Sequence, residues 1–285
     1  MNVLSRIATE GETGPLDQAI VVRDLRFNRA DKPGRHWIDN PVANAWHNAL
    51  SATFPRGEAF FIESVRQFRE GTPPRLDAEI RDFIRQEVNH SREHLAFNRT
   101  ANEAGYDYAR IEDHITKMLD MAKGRPPIFN LAATMALEHY TAILARLLLE
   151  NPELMAHAEP GVAAMWRWHA IEEIEHKAVA YDTWLHATRD WPRPRRWLLK
   201  TMMMLKITRN FVPQRIRDTL DLLAQDGITG WKAKARVFWY LFGKPGVLRR
   251  LTLPWLAYFL PGFHPWRRDE RALIAAAEAG LESAA

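Results

Sequence analysis

Apolar residues recur at helical spacing along most of the chain. An earlier stretch, IVVRDLRF at residues 20–27, alternates instead and predicts a short extended segment before the polar loop NRADKPGRH. A helical pattern starts near Pro41, and Pro55 and Gly57 punctuate the chain ahead of EAFFIESVRQFRE. There Phe54, Glu58, Phe61, Val65 and Phe68 share one stripe, while Glu63, Gln67 and Glu70 share the other. A long helix is predicted from Pro73-Pro74 to Gly105, and a shorter one from Tyr108 to Ala122. After Pro126-Pro127, Leu131, Met135, Glu138, Ala142, Ala145 and Leu149 form an apolar stripe that ends at Asn151-Pro152. Pro160-Gly161 opens the next helix, which the pattern carries unbroken through WHAIEEIEHKAVAYD, residues 168–182. From WPRPRRW onward the helices become basic and aromatic, with an interruption expected at Pro213. The prediction is an all-α protein with an N-terminal arm (1–40), a helical bundle (41–191) and a C-terminal helical extension packed on it (192–285).

Composition narrows the chemistry. A hydrophobic content of 47% supports a substantial core, and the absence of cysteine excludes disulfides, thiolate metal sites and cysteine nucleophiles. Any metal would be held by His, Asp and Glu, which suits hard or borderline ions such as iron and manganese. The polar N-terminus MNVLSRIATEGETG lacks a signal-peptide core, and no apolar run reaches about 18 residues, so a cytoplasmic location is expected. The net charge of +4 is unevenly spread. Residues 1–191 carry 22 Lys and Arg against 28 Asp and Glu, whereas residues 192–285 carry 17 against 7.

Four patterns carry the candidate site. In residues 168–182, His169, Glu173 and His176 stand at i, i+4 and i+7 on one helical face. RQEVNHSREH, residues 85–94, holds a second Glu-x-x-His in Glu87 and His90, with His94 one turn further on as either a third ligand or a residue that orients one. Glu58 and Glu138 are carboxylates embedded in apolar stripes, and burial of an unpaired carboxylate is costly enough to demand a proton or a cation. Glu58 also lies in a first turn, where a carboxylate can stay wet and favour the helix dipole. Two Glu-x-x-His motifs and two single glutamates, each on its own helix, form the ligand set of di-metal carboxylate four-helix bundles. Glu172 stands four residues before His176 and competes with Glu173, which the Glu-x-x-His spacing favours. Glu172, Glu175 and Asp182 are candidates to orient the histidines.

FPRGEAFF, RQEVNHSREH, MALEHYTA, WHAIEEIEHKAVAYD and PGFHPW together resemble the bacterial family of predicted metal-dependent hydrolases, over roughly residues 20–268. More broadly the chain looks like a ferritin-like di-metal protein. His169, Glu173 and His176 are also similar to the His-x-x-x-Glu-x-x-His pattern of p-aminobenzoate N-oxygenase-type di-iron enzymes, although the surrounding sequence does not carry over an amine substrate. What the resemblance implies is a ferritin-like bundle with two metal ions, iron first and manganese or zinc as alternatives. The implied ligands are Glu58, Glu87, His90, Glu138, His169, Glu173 and His176. It implies an oxygen-activating centre, and the expected function is an oxidase or oxygenase on an unknown small or lipid-like substrate, with a metal-dependent hydrolase, as the family name suggests, as the alternative. Iron storage or sensing is the non-enzymatic rival, disfavoured by the third histidine and by the basic extension.

The basic, tryptophan-rich last third offers two readings. Its helices cover the bundle with arginines at the rim, or they lie on an anionic membrane surface, which would make the protein membrane-peripheral. No nucleic-acid motif accompanies the charge. The methionines of LLKTMMMLKI read as core filling, and His264 in GFHPW as a helix cap or a residue at the site mouth. A homodimer is compatible with these features.

Overall fold

A computed structural model describes residues 19–27 and 34–282 of the chain. Residues 1–18 of the expected arm, and 28–33 of its polar loop, lie outside the described residues. The described residues form helices with one isolated β-bridge, between Ile38 and Ala158, and the all-α expectation holds.

Helix α1 (Pro41–Ser51) is nucleated by Asn40, whose side chain accepts from the Val42 and Ala43 amides, with Pro41 in the first turn. Almost every residue of α1 is buried. Helix α2 (Phe54–Arg66) starts earlier than its punctuation suggested. Pro55 sits in its first turn, where a missing N–H costs nothing, so Pro55 and Gly57 are part of the helix. The long α3 (Pro74–Glu103), the short α4 (Ala109–Ala122), α5 (Pro127–Glu150) and α6 (Pro160–Glu175) follow, and Glu159 caps α6 through the Gly161 and Val162 amides.

Helices α2, α3, α6 and α5 pack as a closed ring of four, each against the next, and their inward faces define the space in which the candidate ligands meet. Phe83, Ile80, Leu131, Met135 and Trp168 fill the layers around that space.

Two helix expectations are corrected. The reading of 168–182 as continuous fails: α6 ends at Glu175, and α7 (Val179–Ala187) begins after a break at 176–178. His176 leaves helical geometry at φ −95°, ψ 3°, yet its amide still bonds the Glu172 carbonyl, so its side chain keeps its place on the inner face. The break coincides with the buried Lys177 ammonium reaching Glu270 at 2.5 Å and stacking 3.6 Å over the Trp266 ring. Conversely, α8 (Arg193–Gln225) runs straight through Pro213. Pro213 and Arg209, whose carbonyl loses its helical partner, are both exposed, so the missing bond falls on the outer side of the helix.

Beyond α8 come α9 (Gly230–Phe238), a π turn (Trp239–Gly243), α10 (Val247–Ala257) and α11 (Arg271–Glu282). Helix α8 packs on α1 and α5, α10 on α5, and α11 on α6. One apolar core runs from Trp37 to Tyr258 across the expected boundary at 191, so the extension shares its core with the bundle. Trp46, 2% exposed on α1, lies in that core. Trp46→Ala is expected to lower the unfolding free energy by about 3–5 kcal/mol in denaturant titrations, the usual cost of truncating a buried aromatic.

Candidate metal centre

The ring of helices brings all seven sequence-predicted residues to one place. Glu58 from α2, Glu87 and His90 from α3, Glu138 from α5, and His169, Glu173 and His176 from α6 and its end are all buried. Their ligand atoms fall into three overlapping groups: Glu58 with His90 and His169, Glu87 with His90 and Glu173, and Glu87 with Glu138 and His176. Within each group the atoms lie within 4.8 Å of one another, a spacing at which one cation could be shared.

What the cluster lacks is as telling as what it contains. Both carboxylate oxygens of Glu87 and Glu138, one each of Glu58 and Glu173, Nδ1 of His90 and Nε2 of His176 are buried without a hydrogen-bond partner. Buried polar atoms in folded proteins are almost always satisfied, so so many together mark a place built for something else to bind. Oxygen and imidazole donors of this kind suit iron, manganese or zinc.

On each histidine the opposite nitrogen is held from behind. His90 Nε2 pairs with Glu172 at 3.0 Å, His176 Nδ1 with the Gln86 side-chain oxygen at 2.9 Å, and His169 Nδ1 with His94 Nε2 at 2.7 Å. Such contacts fix ring orientation and tautomer, as in metal sites generally. The supports are themselves anchored. Glu172 accepts from the Trp168 indole and the Arg23 amide, Gln86 donates to Glu175, and His94 meets the Ser51 hydroxyl. Glu58 accepts from Ser91 at 2.8 Å.

The structure thus separates Glu172 from Glu173. Glu173 faces the cluster, with one oxygen 3.0 Å from His169 Nε2 and 3.4 Å from His90 Nδ1, and Glu172 stands behind His90. His94 supports His169 and is absent from the three candidate groups. Asp182 plays no part at the cluster. It pairs with His264, which caps the turn Pro265–Arg267 through the Trp266 amide.

Gln86, Ser51, Ser91 and Arg23 escaped the sequence reading. Gln86 stands four residues before His90 on the same helical face, which could have revealed it. Arg23 carried no signal. It comes from the predicted extended segment, which forms no ladder among the described residues and instead lies along α6, bonding Glu175 at 2.7 Å and also pairing with Glu172 and Glu278.

Charge follows from this geometry. Burial pushes the Glu58 carboxyl up to about 8 and holds those of Glu87 and Glu138 above the usual range, with Glu138 adding to the effect on Glu87. Burial acts in the same sense on Glu173, but the attraction of His176 and the bond from His169 outweigh it and hold the carboxyl well below the usual range. Burial opposes a charge on His90, yet Glu172 and Glu173 overcome it and raise the ring to about 10. His169, buried and facing His90, falls to about 4. In the metal-free chain protons occupy the role of cations, and binding metal would displace them.

The description "predicted metal-dependent hydrolase" belongs to the family that matches residues 21–269. The chain belongs to this family. No curated protein and no solved structure matches it. The family match runs from the extended segment that supports Glu172 to the loop behind Lys177, and so spans every residue of the cluster.

Glu87 is a buried carboxylate with neither oxygen hydrogen-bonded, and its one ion contact among the described residues, His176 Nε2 at 3.3 Å, leaves it a liability without metal. Glu87→Met is expected to raise the unfolding free energy of chelator-treated protein by about 1–3 kcal/mol, while abolishing the stabilisation that added metal gives the unsubstituted chain. A loss of stability in chelator would show that Glu87 is satisfied in some other way.

Proposed function

We propose that the protein is a di-metal enzyme that oxidises an apolar substrate with dioxygen. The observation that carries this reading is the union of a buried donor set of four carboxylates and three histidines with a largely apolar-lined cavity beside it. The cavity has a volume of about 250 Å³, and Glu58, His169 and Glu173 stand in its wall among Phe54, Phe61, Leu137, Ile115 and Phe211. Glu58, Glu87, His90, Glu138, His169, Glu173 and His176 would hold two ions, in the manner of ferritin-like di-metal proteins. When bound, such a pair supplies electrons to dioxygen if it is iron, or activates water for hydrolysis if it is redox-inert.

The chain's own residues prepare the site. Glu172, Gln86 and His94 hold the three imidazoles with their other nitrogens inward, so that little reorganisation accompanies binding. Glu58, His169 and Glu173 are the members that border the cavity, so a substrate there lies against that side of the cluster. Apolar walls admit a hydrocarbon portion and exclude bulk water. His114, Asn130, Gln214 and Arg215 add polar groups to the same wall, enough to orient one polar end of a substrate.

The family description supports a second reading, metal-dependent hydrolysis, with the same ligands around redox-inert ions. The two readings differ in the metal that works and in the need for oxygen. Protein loaded anaerobically with ferrous iron is expected to hold about two ions per chain and to develop a transient absorption on exposure to oxygen. His176→Ala should lose both. Stoichiometric zinc or manganese with no response to oxygen would favour hydrolysis. Glu173→Gln is expected to lower the metal content, whereas Glu172→Gln keeps the stoichiometry and weakens affinity by roughly 10–100-fold, read by competition with a chelator.

A further inference from the structure

From Gly227 to Arg268 the chain contains eight Lys and Arg residues and no Asp or Glu. This stretch spans α9, the π turn and α10, and it carries the most exposed large apolar side chains described: Leu253 at 77%, Trp231 at 75%, Phe238 at 64% and Trp239 at 63%. Their arrangement is ordered. On α9, Ala233 and Val237 face the core, followed by Tyr240 in the π turn. Trp231, Phe238 and Trp239 project from the opposite side, flanked by Lys232 and Arg236 along one edge and Lys234 along the other. On α10, Val247 and Leu251 face the core, while Arg249, Leu253 and Leu256 share the outward stripe, and Leu260 follows at the same spacing. The two stripes meet where the Arg249 guanidinium bonds the Phe242 and Gly243 carbonyls, each at 3.0 Å.

We infer that this face docks on the surface of an anionic phospholipid bilayer. Aromatic and leucine side chains pointing directly away from the core, bordered by cations, are the pattern of helices that lie in the plane of a membrane interface. Charge complementarity selects the occupant. Among the described residues Lys232, Lys234, Arg236 and Lys244 have no ion-pair partner, and a bilayer carrying negative lipid would supply one. A second copy of the chain pairing through the same face would instead bring two acid-free cationic surfaces together. No described helix is long and apolar enough to cross a membrane, so docking is superficial. The inward side of the same segment gives Tyr240 and Val247 to the wall of the cavity, which places the cavity directly beneath the docking face. The inference does not depend on the metal reading.

Flotation of the full chain with vesicles tests it. Binding is expected to vesicles of phosphatidylcholine with about a third phosphatidylglycerol, to be weak with phosphatidylcholine alone, and to fall as salt is raised. The triple variant Trp231→Ser, Phe238→Ser, Trp239→Ser and the triple variant Lys232→Glu, Lys234→Glu, Arg236→Glu should each weaken binding to the anionic vesicles by at least about tenfold. All six side chains are exposed, so the circular dichroism, melting temperature and metal content of both variants should match the unsubstituted chain. Absence of binding to the anionic vesicles overturns the inference. So does binding that neither variant weakens, and so does a dimer that the aromatic variant splits in a chain that ignores vesicles.

Discussion

The structure depends on keeping four carboxylates together in the buried interior of the bundle. Glu58, Glu87, Glu138 and Glu173 are each no more than 3% exposed. Burying even one unpaired carboxylate costs several kcal/mol, and near neighbours of like charge add to the cost. Three histidines and a set of captured protons moderate the repulsion in the metal-free chain. Two divalent cations would do so more completely, because their charge balances that of four carboxylates and their coordination uses the lone pairs left free. The surrounding bundle then reads as the device that holds these groups against their own repulsion.

That device extends beyond the four inner helices. Behind the cluster, Glu172 and Glu175 form a second acidic layer, and Arg23 from the N-terminal side meets both. Glu278 of α11 joins the same guanidinium, so segments from both ends of the described chain converge on the back of α6. At the end of α6, Lys177 and Glu270 form a further buried pair that ties the C-terminal part to the helix break. A negative site is thus backed by cations that stay outside the reach of its ligands.

Much of this was legible in the sequence for a definable reason. Glu58 and Glu138 stood out because a charged residue on an apolar helical stripe contradicts its surroundings, and the two Glu-x-x-His motifs because helical period puts both ligands on one face. All-α architecture followed from the same period. The supports were less visible, because contacts such as Arg23 with Glu172 join residues remote in sequence whose meeting depends on the packing. The choice between Glu172 and Glu173 turned on about 100° of helix rotation, which only the packed bundle fixes. The break after Glu175 has no proline or glycine to announce it, and Pro213, which predicts a break, sits on the exposed side of its helix, where a lost bond costs least. The aromatic and basic character of the last third was plain, but only the fold shows that α9 and α10 bury one narrow side each and leave their tryptophan, phenylalanine and leucine stripes outside.

The most direct test of the central claim is anomalous diffraction from crystals of the iron-loaded protein, measured on either side of the iron absorption edge. The account predicts two iron peaks inside the bundle, ligated from among the seven clustered residues, with Glu172 and His94 outside the coordination sphere. A single peak, peaks away from the cluster, or a fully loaded chain in which Glu87 and Glu138 touch no iron would contradict it.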